Sequence, residues 1–508
     1  VTHMMGDSAG KWFALAALSL SILAVTLDGT VLNLALPTLA KAFRASESDL
    51  EWFSAAYLLM LAAAVLPVGF IGDRFGRKKI MLASLVLFGV GSAACAYSHS
   101  TGVFIAARVL LGVAGAGVTV MAMSALTVLF NEQERPKAVG IYEAANFLGL
   151  PLGPILGGWM LTHFWWGWMF LINVPVILVA CLVVAPLVPE SRAAAKPKLD
   201  AIGVASSTVG LVALTYGLIE AGDNGWGNAK ALLFIGIGLV VLVGFTLWEQ
   251  RQGARPGKEP LIHLSLFQSR SFAFGALLSA VPGLALIGVL FTTPQYFQGV
   301  LGTSTMGSGW RLLPLIGGLI AGAVPAGQIN RVGGDKIATS LGYVVACAGF
   351  IIGATTHIDS SVGFSAVWMA LVGFGVGLTL ATATSAALSR LSHEDSGIGT
   401  AVVQLLQKVS APFGTAIMGS VLSNSYQSHL ILSGLPSQEV QAVRRSIFAG
   451  LAVARSIGST SLEQSIRHAF VRGMDTSLLV SMGISILGLI LTVVFLPGRK
   501  RENEAMKY

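Results

Sequence analysis

Gly72-Asp73-Arg74-Phe75-Gly76-Arg77-Lys78-Lys79 lies between two long apolar runs and packs four cations and one carboxylate into eight residues. Charge is costly inside hydrocarbon, so a segment of this kind in an apolar chain belongs at a water boundary. It reads as a loop, and its four cations place that loop on the cytoplasmic side.

Composition supports a membrane setting for this loop. Of the 508 residues 54% are hydrophobic and only 11% charged, and the mean hydropathy is +0.76. A soluble domain of this length needs far more polar surface. The apolar residues fall in blocks of roughly 18–25, the length a helix needs to cross a bilayer. Sixty glycines suit close helix packing in lipid. The formal net charge of +8 is spread over short loops, which is a topology signal and not a nucleic-acid footprint. Cys95, Cys181 and Cys347 lie in separate apolar blocks without metal-ligand spacing and read as buried free thiols. The first apolar run is long and carries an aspartate, so it reads as a spanning helix and not as a cleavable signal.

Length and hydropathy predict an all-α polytopic protein with fourteen spans, near 13–36, 51–71, 80–98, 103–128, 138–161, 168–188, 201–220, 230–248, 272–297, 305–328, 337–356, 362–388, 398–421 and 474–496. Alternate loops hold most of the cations: the opening octapeptide, Arg135 and Lys137, Arg192 to Lys198, Arg251 to Arg270, Arg331 and Lys336, Arg390, and the tail from Arg499. The opposite short loops are nearly bare, so both termini are expected in the cytoplasm. Segment 422–473 is basic yet external, and long translocated loops are largely exempt from the rule. Val440, Val443, Ile447 and Leu451 recur there at helical spacing and predict an amphipathic hairpin. It reads either as a shield over the outer mouth or as a passive surface loop.

The octapeptide has an echo. Ile329-Asn330-Arg331-Val332-Gly333-Gly334-Asp335-Lys336 follows the tenth span as Ile71 to Lys78 follows the second. Two additional spans stand between the halves, so the chain divides into a six-helix bundle at 1–188, a linker with two helices at 189–271, and a second six-helix bundle at 272–508. Internal repeats with a site at their interface mark transporters.

With these features the chain resembles the major facilitator superfamily, and within it the fourteen-helix drug:proton antiporters, over essentially its whole length. Gly72 to Lys79 is similar to the superfamily's loop motif. Phe104 to Gly117, with Arg108 and Gly112, resembles its fourth-helix motif. Gly149-Leu150-Pro151-Leu152-Gly153-Pro154-Ile155-Leu156-Gly157-Gly158 resembles the antiporter signature, and Leu27 to Pro37 the first-helix motif of the fourteen-helix branch. The resemblance implies two bundles of the major facilitator fold around a mid-membrane site.

Mechanistic candidates follow. Asp28, inside the first span, is a costly carboxylate and reads as a proton carrier; a structural carboxylate held by hydrogen bonds is the alternative. Arg108 lies at a depth within ~5 Å of Asp28 at the rise of a helix. It reads either as the ion-pair partner that couples proton uptake to breaking of the pair, or as a donor to backbone groups. Glu143 in the fifth span is either a second proton site, a cationic-substrate anchor, or a carboxylate snorkelling to the cytoplasmic edge. Lys408, beside Gln404 and Gln407 in the thirteenth span, disfavours dicationic substrates unless paired and leaves neutral, zwitterionic or anionic ones open. Gly149, Gly153 and Gly157 share one helix face, and Pro154 removes a backbone bond and kinks the helix. These four are expected to gate by letting the two halves close on each other, or else to be ordinary packing residues. Asp73 and Arg77 are expected to latch the cytoplasmic side, with Asp73 reaching a helix N-terminus or the basic cluster, unless they only form a solvated turn. Asn33, Tyr57, Asn146, Phe147, Gln295, Tyr296, Gln404, Gln407 and Lys408 are the candidates for lining a substrate pocket.

The functional expectation is a proton-coupled antiporter that exports amphiphilic drugs or toxic compounds from the cytoplasmic (inner) membrane by alternating access. Export of an endogenous metabolite, lipid or peptide by the same fold is the alternative, and a non-transporting sensor a remoter one. No G-x-x-x-x-G-K-[ST] loop is present, so a proton gradient and not ATP is the expected energy source. No cofactor, metal or nucleic acid is implied, and no nucleophile–base constellation points to an enzyme. The expected partners are the lipid bilayer, protons and a small amphiphilic substrate, bound by a monomer.

Overall fold

The computed structural model describes residues 8–44, 47–192, 200–253, 264–389, 391, 396–432 and 435–497. The first seven helices are α1 (Ser8–Phe43), α2 (Glu47–Phe75), α3 (Arg77–Ala96), α4 (Thr101–Leu129), α5 (Arg135–His163), α6 (Trp168–Leu171) and α7 (Asn173–Leu187). A hairpin of α8 (Ala201–Asn224) and α9 (Ala229–Gly253) follows. The rest comprises α10 (Arg270–Gln295), which continues into a π-helical turn at Tyr296–Val300, α11 (Thr305–Arg311), α12 (Leu313–Ala323), α13 (Ala326–Gly353), α14 (Val362–Leu388), α15 (Ser396–His429), α16 (Ser437–Arg445), α17 (Ile447–Ser456) and α18 (Thr460–Phe495). Several starts carry a serine cap: Ser100, Ser269, Ser361 and Ser459 each accept a backbone N–H three residues on, which satisfies an otherwise orphan donor.

Among the described residues eleven helices are long and apolar enough to cross a membrane, or twelve if the bent α5 is one span. Two of the fourteen expected spans fall outside that count for physical reasons. The expected tenth, 305–328, is broken into α11, α12 and the start of α13, with prolines at 314 and 325 interrupting the backbone ladder. The expected thirteenth is long enough, at 34 residues, but Gln404, Gln407, Lys408 and Ser410 dilute its hydropathy. α5 bends by 42° between Gly153 and Ile155, at the position where proline removes an N–H.

The octapeptide is not the expected loop: residues 72–75 close α2 and residues 77–79 open α3, so Gly76 alone stands between the helices, and its echo breaks the chain in the same way. Gly76, between α2 and α3, has φ +112°, and Gly334, inside α13, has φ +76°. Both torsions lie in the region that only glycine enters cheaply, so α13 is two helices joined at the echo of the octapeptide.

One core is centred on α1 to α7 around Leu18, Phe53, Phe88, Phe104 and Phe170, and also takes in Phe272 of α10 and Ile398 and Ala401 of α15. A second packs α10, α12 to α14 and α18 around Tyr296, Phe297, Trp368 and Leu478. α8 packs on both α2 and α15: Tyr216 stacks on Trp52, and Trp226 Nε1 donates to the Ala416 carbonyl at 3.2 Å. α9 turns Leu233, Val240 and Val243 outward, each more than half exposed, as a lipid-facing helix does.

The basic segment after α15 forms α16 and α17, broken at the extended Ser446. Val443, Ile447 and Leu451 are buried together with Tyr426, Ile466 and Phe470. Ile447 also lies against Gly299 of the π-helical turn. The amphipathic face is therefore committed to the second core.

Candidate functional site

Asp28 and Arg108 are each 1% exposed and pair through Asp28 Oδ2 and Arg108 Nη1. Arg108 Nε also donates to the Phe53 carbonyl at 2.9 Å, so the guanidinium serves both a carboxylate and a backbone group. It lies 4.4 Å from the Tyr57 ring centroid, and the Tyr57 hydroxyl donates to the Val25 carbonyl at 2.7 Å. Asn173, the first residue of α7, donates from Nδ2 to Asp28 Oδ1 at 3.3 Å and to Ser92 Oγ at 3.1 Å. The sequence reading missed Asn173 and Ser92. An amide at the start of an apolar run is visible in sequence, but its direction depends on the short helix α6 and its junction at Ile172.

A second polar cluster lies where α5 faces the other half. Glu143 is 4% exposed, and its Oε2 accepts from Asn146 Nδ2 at 3.3 Å. Asn146 Oδ1 accepts from Thr26 Oγ1 at 2.5 Å, which ties the cluster to α1 two residues before Asp28. Lys408 on α15 is within electrostatic reach of Glu143, and Gln404 lies beside the carboxylate. Gln407 Nε2 donates to Thr384 Oγ1 at 3.2 Å. Phe147 packs toward the second core.

The remaining pocket candidates are elsewhere. Tyr57 belongs to the Asp28 site. Gln295 satisfies itself on the Phe291 carbonyl at 2.8 Å, and the Tyr296 hydroxyl donates to the His357 carbonyl at 3.0 Å near the turn before α14. Asn33 and Pro154 lie on α1 and α5, with side chains outside the described residues.

Asp73 and Arg77 are 4% and 3% exposed, not a solvated turn. Asp73 Oδ1 accepts from Arg77 Nε at 2.8 Å and Nη2 at 2.6 Å. The same carboxylate accepts the Gly397 N–H at 2.9 Å and the Ile398 N–H at 2.8 Å. These are orphan donors at the N-terminus of α15, where a negative charge is stabilised. Beside this cap an added Cβ at Gly69 would stand 2.6 Å from Ala401 Cβ, so α2 and α15 touch. The echo makes a weaker contact with inverted charge: Arg331 Nη2 donates to Gln133 Oε1 at 2.5 Å, just before α5.

At Gly149 and Gly153 the glycine face of α5 points at α1 and not at the other half. A Cβ on Gly149 would meet Thr26 at 2.8 Å, and one on Gly153 would meet Thr30 Cβ at 2.7 Å, so this face packs on α1. Thr30 Oγ1 also donates to the Gly149 carbonyl at 3.1 Å. Close approaches of α5 to the second half occur at Gly140, against Ala323, and at Pro151 and Ile155, against Gly309.

Among the described residues no group of three or more His, Cys, Asp or Glu is placed to hold a metal ion. Cys95, Cys181 and Cys347 are free thiols.

The Major Facilitator Superfamily profile matches residues 18–415. The chain is 30% identical to the tetracenomycin C resistance and export protein of Streptomyces glaucescens, over 99% of this chain and 94% of that protein. It is 30% identical to the multidrug efflux pump LfrA of Mycolicibacterium smegmatis, over 95% of this chain and 96% of the pump. Among solved structures the proton:xylose symporter XylE superposes with a TM-score of 0.62 at 16% identity, covering 97% of both chains; that likeness concerns the fold alone.

Proposed function

Because the chain belongs to the major facilitator superfamily, we propose that it is a proton-coupled exporter of amphiphilic toxic compounds. It is a multi-pass membrane protein of a transporter family. The finer reading is fourteen crossings arranged six, two and six, in the cytoplasmic membrane with both termini inside.

The observation that carries this reading is the presence of two buried carboxylates in two settings. Asp28 is enclosed within the first half, whereas Glu143 faces Lys408 across the seam between halves. A proton carrier needs a carboxylate that can be neutral in one state and ionised in another, and a substrate site needs groups that both halves contribute. Asp28 then takes the proton and Arg108 competes for its charge. Glu143, Asn146, Gln404 and Lys408 meet the substrate. A carboxylate and an ammonium in one seam suit singly charged or zwitterionic amphiphiles, and Phe147 supplies an apolar contact. Export by relatives named for tetracenomycin C resistance and for multidrug efflux supports the direction and the substrate class.

Alternating access follows from the Asp73 cap. While the carboxylate caps α15, the cytoplasmic ends of α2 and α15 stay together; releasing the cap opens that side. Cap release and the proton state of Asp28 are both carried by helices of the first half.

The test is transport in proteoliposomes driven by an imposed pH gradient, with a panel of amphiphilic cations, zwitterions and neutral dyes. Wild type is expected to move members of the panel against their gradient, and Asp28→Asn to lose gradient-driven transport by about tenfold or more while retaining substrate binding, the scale of a missing acid–base group. Unchanged transport in Asp28→Asn removes Asp28 as the carrier. Failure of wild type to move any panel member removes the substrate class.

A further inference from the structure

The two oxygens of Asp28 have different partners. Oδ2 faces the Arg108 guanidinium, which only donates hydrogen bonds. Oδ1 accepts from Asn173 Nδ2, and the same nitrogen reaches Ser92 Oγ. Asn173 is 2% exposed and Ser92 is completely buried, so both are shielded from bulk solvent.

A proton arriving from water must therefore sit on Oδ1, because Oδ2 already accepts from the guanidinium. A new O–H bond forms there, the carboxylate charge is neutralised, and no other covalent bond changes. The resulting O–H then points at an amide N–H, which sets two donors against each other. An asparagine amide carries a donor and an acceptor on one plane, and a half-turn exchanges them. A serine hydroxyl can likewise donate or accept. With both reversed, Asn173 Oδ1 accepts from the protonated Asp28 and from the Ser92 hydroxyl, and both contacts are kept.

We propose that Asn173, reversing together with the Ser92 hydroxyl, is the positioning residue that lets the Asp28 site hold a carboxylate and a carboxylic acid in turn. The inference rests on the reading of Asp28 as the proton carrier. Arg108 remains charged in both states. When Asp28 is neutral, the Phe53 carbonyl at 2.9 Å and the Tyr57 ring at 4.4 Å still hold the guanidinium. The titratable groups around Asp28 are Arg108 from α4, Tyr57 from α2 and Cys95 from α3. From α5, Glu143 is connected only through Asn146 and Thr26, and α7 contributes the neutral Asn173.

The experiment measures gradient-driven export against pH in proteoliposomes for wild type, Asp28→Asn, Asn173→Ala and Ser92→Ala. Each protein is first checked for folding by its thermal melt in detergent. Asn173→Ala is expected to move the midpoint of the profile to alkaline pH by about one unit, because the lost bond to a carboxylate is the stronger of the two. Ser92→Ala, which leaves the amide but frees it from its second partner, is expected to move the midpoint in the same direction by less. In infrared difference spectra the carbonyl stretch of protonated Asp28 is expected to rise in frequency in Asn173→Ala, as it does when a hydrogen bond is lost. If Asn173→Ala does not fold, Ser92→Ala carries the same test. A wild-type midpoint in both variants, while Asp28→Asn has lost its pH dependence, overturns the role of Asn173. A wild-type profile in Asp28→Asn overturns the proton reading itself and this inference with it.

Discussion

Arg108 shows how much one side chain can join. It reaches a carboxylate on α1, a carbonyl on α2 and the face of an aromatic ring, all without solvent. Breaking a buried pair by removing one partner costs far more than the pair contributes, because the other charge stays buried alone. Arg108→Ala is expected to destabilise the protein by about 3–5 kcal/mol. Adding Asp28→Asn is expected to restore most of that loss, since no charge is then stranded. Thermal or denaturant unfolding of the single and double variants in detergent checks this; equal destabilisation in both shows that the loss is one of packing and not of charge. Arg108→Lys is not a neutral replacement, because an ammonium lacks the planar fork that serves Asp28 and Phe53 together.

At the scale of helices, α1 and α5 are held as one unit by a face without side chains. Thr26 and Thr30 occupy the space left by Gly149 and Gly153, and the Thr30 hydroxyl closes on an α5 carbonyl. This joins the helix that carries Asp28 to the helix that carries Glu143. Gly153→Ala is expected to lower stability by about 1–3 kcal/mol, the cost of overpacking a close contact, and to slow transport by disturbing both acids. Gly236→Ala on lipid-facing α9, where nothing lies within 4 Å of the new Cβ, is expected to be neutral or slightly stabilising, since alanine is the better helix former. The melting temperatures of the two variants in the same detergent check the contrast; similar losses at both sites show that helix propensity and not packing governs.

Across the whole molecule the two seams between halves are closed differently. On one side α5 meets α11 and α12 directly, at Gly309 of α11 toward the C-terminal end of α5 and at Gly140 toward its N-terminal end. On the other side α2 and α15 meet at Gly69, Ala401 and the Asp73 cap, and α8 lies across both helices. Alternating access requires that the α2–α15 contact open. Gly69→Cys with Ala401→Cys, in a background lacking Cys95, Cys181 and Cys347, is expected to form a disulfide on oxidation once α2 and α15 yield by about 1 Å to the Cβ separation that a disulfide requires, to arrest export, and to recover on reduction. Continued export by the fully cross-linked protein shows that this contact does not open during turnover.

By itself the sequence determined that the chain crosses a membrane many times, that the helices break within Gly72 to Lys79, and that this break recurs near Gly334. Hydropathy and charge are local properties, and a charge cannot sit in hydrocarbon unpaired, so each of these can be read along one stretch of chain. The acids themselves were legible for the same reason: Asp28 and Glu143 stand out against apolar neighbours. The tertiary structure alone decided what each one faces. Asn173 and Phe53 reach the Asp28–Arg108 pair from two other helices, Ser92 holds Asn173 from a third, and Lys408 approaches Glu143 from a position 265 residues away in the chain. The Gly149 face looked in sequence like a surface for the opposite half, yet it packs on α1. A helix face is periodic and can be read from spacing, whereas the identity of its neighbour depends on how helices distant in sequence come to pack together.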